Sequence, residues 1–302
     1  MAHLKDRRPQ NVDGNFYVDS SCIDCDTCRW IAPQVYSREG SQSAVHHQPS
    51  SESERVMALE ALLACPTASI GTQAKPTDIR QVQQRFPLKI AENVFYCGYH
   101  SQKSYGAASY FIQRDASKDG GEGGNVLIDS PRFTPPLVKQ LEAMGGVRYL
   151  YLTHRDDVAD HEKFHQHFGC DRILHDQDIT SGTHSVEIQP TGSEPFALDS
   201  EITIIPQPGH SAGHTVLLYK GKYLFTGDHL AWSARLNQLY AFRNFCWQSW
   251  PRQIESMKQL ADYTNNYAFE WVLPGHGRRF SASAQEMGDR LHTCIEWMES
   301  VA

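Results

Sequence analysis

The 302-residue chain has no apolar run approaching the roughly 20 residues needed to cross a bilayer, so no membrane span is expected. It also lacks a dense lysine and arginine stripe: 28 basic residues stand against 35 acidic ones, which argues against nucleic acid as a partner. Met1 to Gln10 is charged rather than apolar, unlike a secretory signal. A soluble intracellular protein is expected, cytoplasmic, or stromal in an organelle if a transit peptide preceded this sequence. No internal repeat with a period of 20 to 50 residues is visible. At roughly 150 residues per domain, the length suggests two domains.

Cysteine, in contrast, is abundant and unevenly placed: four of the eight fall in the first 65 residues. Cys22, Cys25 and Cys28 form C-x2-C-x2-C, and Cys65 follows after a gap of 36 residues, with Pro66 next. A disulfide framework would suit a small secreted chain, but this spacing is that of thiolate ligands. Two-residue spacers let a loop wrap three corners of a cubane, and a distant fourth thiolate closes it. Structural zinc is the competing reading, with free thiols a third. The tight triple run, the Cys-Pro pair and the lack of a second C-x2-C pair favour a [4Fe-4S] cluster. Ser41 to Glu54 reads as a loop whose His46 and His47 face solvent, and Ser53 to Leu63 as a Ser-capped helix. Cys97, Cys170, Cys246 and Cys294 have no partner at ligand spacing and read as buried small hydrophobes.

The first 70 or so residues resemble a single-cluster bacterial-type ferredoxin. The likeness runs from Asp19 through Cys22-Ile23-Asp24-Cys25-Asp26-Thr27-Cys28, then Ala32-Pro33-Gln34-Val35-Tyr36, to Cys65-Pro66-Thr67-Ala68-Ser69-Ile70. It implies a small α+β domain with one cluster on Cys22, Cys25, Cys28 and Cys65, since a second set of four cysteines is missing.

Between Thr72 and Gln84 the apolar pattern lapses around Pro76, so the linker is placed there, with domains at 1–82 and 83–302. Short strands are expected at Asn93 to Tyr99, Ala108 to Gln113, Asn125 to Asp129, Val147 to Leu152, Arg172 to Leu174, Ile202 to Pro206, Thr215 to Tyr219 and Tyr223 to Thr226. The Gly-rich loop Arg114 to Gly124 is expected to be mobile. Helices are expected at Thr134 to Met144, Trp250 to Thr264 and Ala282 to Glu299. This mixture fits a layered α/β sandwich better than a barrel.

One stretch of the second domain stands out, Thr153-His154-Arg155-Asp156-Asp157-Val158-Ala159-Asp160-His161, at the end of an expected strand. Two imidazoles and three carboxylates crowd into eight residues, an arrangement that a cation would relieve. The plainer reading is a solvated acidic helix N-terminus, with Asp156 and Asp157 complementing the helix dipole. Three more strand ends carry ligand-type residues beside glycine: His210 in Pro208-Gly209-His210, Asp228 in Thr226-Gly227-Asp228-His229, and His276 in Pro274-Gly275-His276-Gly277.

Together with Leu127-Ile128-Asp129-Ser130, Ser104-Tyr105-Gly106-Ala107 and Ser109-Tyr110-Phe111-Ile112, this set resembles the metallo-β-lactamase superfamily from Phe86 onward. The resemblance implies an α/β fold, an αββα sandwich, with one or two Zn, Fe or Mn ions at one edge. It implies that His154, His210 and a second residue of the main motif hold one metal. Asp160, His161 and His276 would hold the other, Asp228 would bridge, and a hydroxide between the ions would be the nucleophile. Asp160 and Asp228 are the catalytic carboxylates on this reading. The family pattern is H-x-H-x-D-H, whereas here two extra residues separate His154 from Asp160-His161, and Asp156 stands for the second histidine. Either Asp156 is a ligand and the insertion bulges outward, or the first site is degraded; a carboxylate shifts preference from Zn toward Fe or Mn. His214 and His229 are then supporting residues. The tract Trp232, Tyr240, Phe242, Phe245, Trp247 and Trp250 is either an apolar substrate wall or a packing surface against the N-terminal domain.

Two functions fit these residues, with a third as the bland alternative. The first, preferred because a metal-bound hydroxide needs fewer unseen components, is a metal-dependent hydrolase of a small-molecule substrate. The second is an oxidoreductase in which the cluster feeds an iron centre, with a redox partner protein. The third is a metal-poor interaction protein.

Overall fold

The structure is a computed structural model that describes residues 2–114, 123–263 and 268–302. The chain folds into two compact units, 1–111 with 131–146, and 112–130 with 147–302. Among the described residues no helix is long and apolar enough to cross a membrane.

The first unit contains strands β1 (Phe16–Val18), β2 (Tyr36–Glu39), β3 (Gln42–Val45), β4 (Ile70–Thr72), β5 (Leu88–Ala91) and β6 (Val94–Tyr96). Its helices are α1 (Thr27–Ile31), α2 (Glu52–Ala64), α3 (Ile79–Gln83) and α4 (Pro135–Ala143). β1 pairs antiparallel with β4, and β2 with β3. The expected loop 41–54 therefore contains a strand, and the expected linker a short helix. Helix α2 starts where the Ser51 hydroxyl accepts the Glu54 N–H at 3.2 Å, and it stops at Cys65, whose successor Pro66 cannot continue it. The helix thus delivers one thiol at its end. The other three are shaped by left-handed residues: Asp24 and Asp26 take φ of 59° and 65°, a conformation Asp tolerates better than most side chains. Their carboxylates are held by Arg29 at 2.6 and 2.5 Å.

A further strand, β7 (Tyr110–Ile112), runs to the boundary of the first unit. The second unit opens with β8 (Val126–Ile128), β9 (Tyr149–Tyr151), α5 (His161–Phe168) and β10 (Asp171–Ile173). β8, β9 and β10 are parallel neighbours, with α5 packed on β9 and β10. There follow β11 (Phe196–Ala197), β12 (Ile202–Pro206), β13 (Thr215–Tyr219), β14 (Tyr223–Gly227), β15 (Ala231–Ser233), β16 (Gln238–Tyr240), α6 (Trp250–Tyr263), β17 (Trp271–Pro274), β18 (Phe280–Ser281) and α7 (Ala284–Ser300). The second sheet has the order β11-β12-β13-β14-β17-β18. β13 and β14 are buried along their whole length, as strands covered on both faces must be. Ile205, Val216, Leu218 and Leu224 on one face pack against Met257 and Leu260 of α6 and Leu291 and Met298 of α7. Each such side chain contributes about 1.5–3 kcal/mol by leaving water. Where the two sheets meet, the Tyr151 and Thr215 hydroxyls lie 2.7 Å apart. The unit is thus helix, sheet, sheet, helix. Cys97, Cys170 and Cys294 are buried as expected, while Cys246 is half-buried. The loop expected at 114–124 lies mostly outside the described residues.

One ion pair between a buried guanidinium and an exposed carboxylate gives a stability prediction. Arg172 on β10, 1% exposed, donates from Nε to Glu187 Oε2 at 3.0 Å and from Nη2 to Glu187 Oε1 at 2.8 Å. Partial burial alone would raise the Glu187 pKa, but the Arg172 bonds override it and hold the carboxyl at about 2, below its ordinary 4.5. A depressed carboxyl stabilises the fold above its unfolded pKa and loses that contribution as pH falls through the folded value. Arg172→Ala is expected to cost about 1.5–3 kcal/mol, because it removes the charge-assisted hydrogen bonds of a buried guanidinium. Glu187→Gln should be less stable than the wild type at neutral pH, with the gap closing from about pH 4.5 down to about pH 2 in thermal melts.

Candidate metal centre

Four candidate ligands of the second unit sit just past the C-terminal end of a strand. β9 leads to Thr153 and His154, β12 to His210, β14 to Asp228, and β17 to His276. Two glycines let these ends converge. Gly227 has φ of +47°, and a Cβ there would lie 2.5 Å from Thr153 Oγ1 and 2.9 Å from His214 Nε2. A Cβ on Gly275 would lie 2.8 Å from Asp157 Oδ2 and 3.1 Å from Asp228 Oδ1.

Among the described residues two groups bring ligand atoms within 4.8 Å of one another: His154, Asp156 and His210, and His154, Asp157 and Asp228. Asp156 Oδ2 lies 3.5 Å from His210 Nε2 and 3.9 Å from His154 Nε2. Asp228 Oδ2 lies 3.9 Å from His154 Nε2 and 3.8 Å from His210 Nε2. His276 Nδ1 lies 2.7 Å from Asp228 Oδ1. So His154, Asp156, His210, Asp228 and His276 are gathered at one place.

Asp160 and His161 belong to neither group. Asp160 directly precedes α5 and pairs with Lys163 at 3.0 Å, and His161, the first residue of α5, has its Nδ1 3.2 Å from the Arg172 guanidinium. A cation at that nitrogen disfavours a second one. The inserted residues carry Asp160 and His161 onto the helix start, and the nearer Asp157 turns inward instead. Spacing alone does not single out Asp157; its one signal is the doubled acid directly after His154-Arg155.

The ring of His154 is oriented by a relay. The Thr153 hydroxyl donates to Asp129 at 3.0 Å and accepts from His154 Nδ1 at 2.9 Å, which leaves the Nε2 lone pair facing the other ligands. Burial pushes Asp129 up to about 7, against the Thr153 bonds that lower it. His214 and His229, both fully buried, lie behind the ligands: the His214 ring is 5.1 Å from His154 and 5.7 Å from His229, and its Nε2 accepts the Asp228 N–H at 3.3 Å.

These donors fit a cation. His154 Nε2, both nitrogens of His210 and both oxygens of Asp157 are buried without a hydrogen-bond partner. Burial, then Asp228, Asp129 and Asp156, push Asp157 well above the carboxylate range. Burial would raise Asp228 too, but His276, His154 and His210 hold it well below. Burial pushes His154 down to about 4, so its imidazole is neutral and able to ligate. Three imidazoles and three carboxylates form a donor set able to hold a divalent cation.

Of the aromatic tract, Trp232 stacks on Phe280 at 4.1 Å, and Trp250 is buried. Phe245 and Trp247 are each 56% exposed, and the Trp247 ring is 6.4 Å from that of His210.

In the first unit, Cys22, Cys25, Cys28 and Cys65 line one cavity together with Val18, Ser43 and Ile70. Among the described residues, no group of three ligand atoms within 4.8 Å of one another contains a cysteine. Four thiols on one cavity can serve the four corners of a cubane. Donors already face these sulfurs: Ser43 Oγ lies 3.2 Å from Cys28 and the Ser69 N–H 3.3 Å from Cys65. Burial pushes the Cys25 thiol up to about 11, so a metal's charge is needed to hold it as thiolate.

Residues 18–72 match the family described as the 4Fe-4S single cluster domain of Ferredoxin I. No curated protein matches the chain. Among solved structures, TMB-1 superposes with a TM-score of 0.54 at 16% identity, covering 70% of this chain and 96% of that one. VMB-1 gives 0.52 at 16%, covering 70% and 95%. The metallo-beta-lactamase from Hirschia baltica gives 0.50 at 14%, covering 69% and 96%. At such identities the likeness is one of fold. The chain carries a single-cluster 4Fe-4S domain together with a metallo-β-lactamase fold.

Proposed function

We propose that the chain is an oxidoreductase in which the [4Fe-4S] cluster exchanges electrons with a dinuclear iron centre in the second unit. The observation that carries this reading is the Asp156 carboxylate between His154 and His210, which makes the donor set half carboxylate. On this reading His154, Asp156 and His210 hold one ion, Asp157 and His276 the other, and Asp228 serves both. Bound there, iron would supply Lewis acidity and one-electron redox chemistry.

The chain's own residues prepare the centre. Thr153 and Asp129 keep the His154 Nδ1 proton in place, and His276 and Asp228 fix each other through their 2.7 Å contact. Trp247, with Phe245 against it, offers an organic substrate an exposed apolar face beside His210. That face favours a small organic substrate, and it keeps the hydrolytic reading as the second choice, since an apolar acyl group would also rest there.

The test is metal and sulfide analysis with Mössbauer spectroscopy on protein purified without oxygen. About six iron and four sulfide per chain are expected, four iron in the cluster and two with oxygen and nitrogen ligands. About four iron with two zinc, and hydrolysis unaffected by oxidising the cluster, would replace this reading with the hydrolase.

A further inference from the structure

We infer that a buried hydrogen-bond wire, Tyr96 to His100 to Thr27 to Cys25, sets how readily the iron–sulfur cluster accepts an electron, with His100 as its positioning residue. The inference rests on the cluster assignment, not on the chemistry proposed for the second unit.

Thr27 opens α1 and is 2% exposed. Its hydroxyl oxygen lies 3.4 Å from Cys25 Sγ and 3.2 Å from His100 Nδ1. His100, 1% exposed, lies after β6, outside the segment 18–72 that matches the cluster-domain family. Its Nδ1 is also 2.6 Å from the Gly106 carbonyl oxygen, which can only accept, so Nδ1 carries the ring proton. Nε2 is then an acceptor, and the Tyr96 hydroxyl donates to it. The Thr27 oxygen shares the Nδ1 proton, so its own hydroxyl proton turns away from His100 and toward the Cys25 sulfur. Gly106 permits this approach: its φ is +89°, and a Cβ there would lie 3.1 Å from both Cys25 Cβ and Pro66 Cγ.

The donors on Cys28 and Cys65 come from within the matched segment. Cys25 draws its side-chain donor from a threonine held by residues beyond it. Reducing the cluster by one electron puts more negative charge on its sulfurs, so a donor aimed at a thiolate stabilises the reduced form more than the oxidised one. The electron is supplied by dithionite, which is oxidised through mediator dyes, and no proton need move.

The experiment is a potentiometric EPR titration of full-length protein purified without oxygen. Thr27→Val, which keeps the shape and removes the hydroxyl, should lower the reduction equilibrium constant about tenfold, or about 59 mV for one electron. Thr27→Ser should retain the wild-type value. His100→Phe should fall as Thr27→Val does, and His100→Gln, which keeps a side-chain N–H, should recover part of the loss. A purely structural role would change cluster content or melting temperature without moving the potential of the loaded fraction. An unmoved potential in loaded Thr27→Val overturns the inference; if that variant does not load, His100→Phe decides on the same criterion. If neither loads, wild-type Fe–S stretching bands are compared in H2O and D2O, and the absence of any shift overturns it. A wild-type protein without sulfide or an EPR signal would show instead that the cluster assignment had failed.

Discussion

Asp228→Ala is expected to empty the metal centre almost completely, with affinity for both ions falling more than about 100-fold, beyond what the loss of a supporting residue costs. Asp228 lies within 4 Å of both His154 and His210 and is also in direct contact with His276. On the proposed reading, removing it would take negative charge from two ions at once and leave three imidazoles facing one another. His214→Ala is expected to lose about 10-fold, since that imidazole accepts the Asp228 N–H and orients it rather than facing the cation. Asp157→Asn should resemble Asp228→Ala more than Asp160→Asn does. Metal content after dialysis, measured by inductively coupled plasma mass spectrometry, checks all four. Equal losses in Asp228→Ala and His214→Ala, or a larger loss in Asp160→Asn than in Asp157→Asn, would mean that the ligands are wrongly assigned.

Cys25→Ser is expected to remove sulfide, brown colour and electron-driven turnover together. Four thiolates are needed to close a cubane, and a serine oxygen is a harder, more basic ligand than the sulfur it replaces. If the second unit is the electron acceptor, its metal should remain bound in this variant yet no longer be reduced by dithionite on the wild-type timescale. That combination separates a broken electron path from a damaged centre. Hydrolysis at wild-type rates in Cys25→Ser, with no redox turnover in either protein, would end the oxidoreductase reading. The melting temperature of the second unit serves as the control, because Cys25 belongs to the first unit.

Much of this protein could be read along the chain because the relevant groups are local. Cys22, Cys25 and Cys28 share one loop, and α2 must end at Pro66, so the four thiols that line one cavity were legible before any fold was known. The strands 202–206, 215–219 and 223–227 were legible too, since continuous apolar runs can only be buried. The strand ends bearing His154, His210, Asp228 and His276 announced themselves through the glycines beside three of them.

Which acids turn inward was decided only by the tertiary structure. Residues 156 to 161 offer three carboxylates and an imidazole at nearly equal sequence distance from His154, and spacing cannot rank them. The ranking comes from groups far along the chain. Arg172 on β10 occupies the face of His161, α5 begins at that residue, and the backbone at Gly275 leaves room for Asp157. The role of His100 is of the same kind: in sequence it is an isolated histidine, and only the return of residues 97–106 to the cysteine loop sets its ring against Thr27. Local sequence determines which side chains can ligate and where strands stop. Long-range packing determines which of them meet, because proximity in a folded chain depends on contacts between residues tens of positions apart.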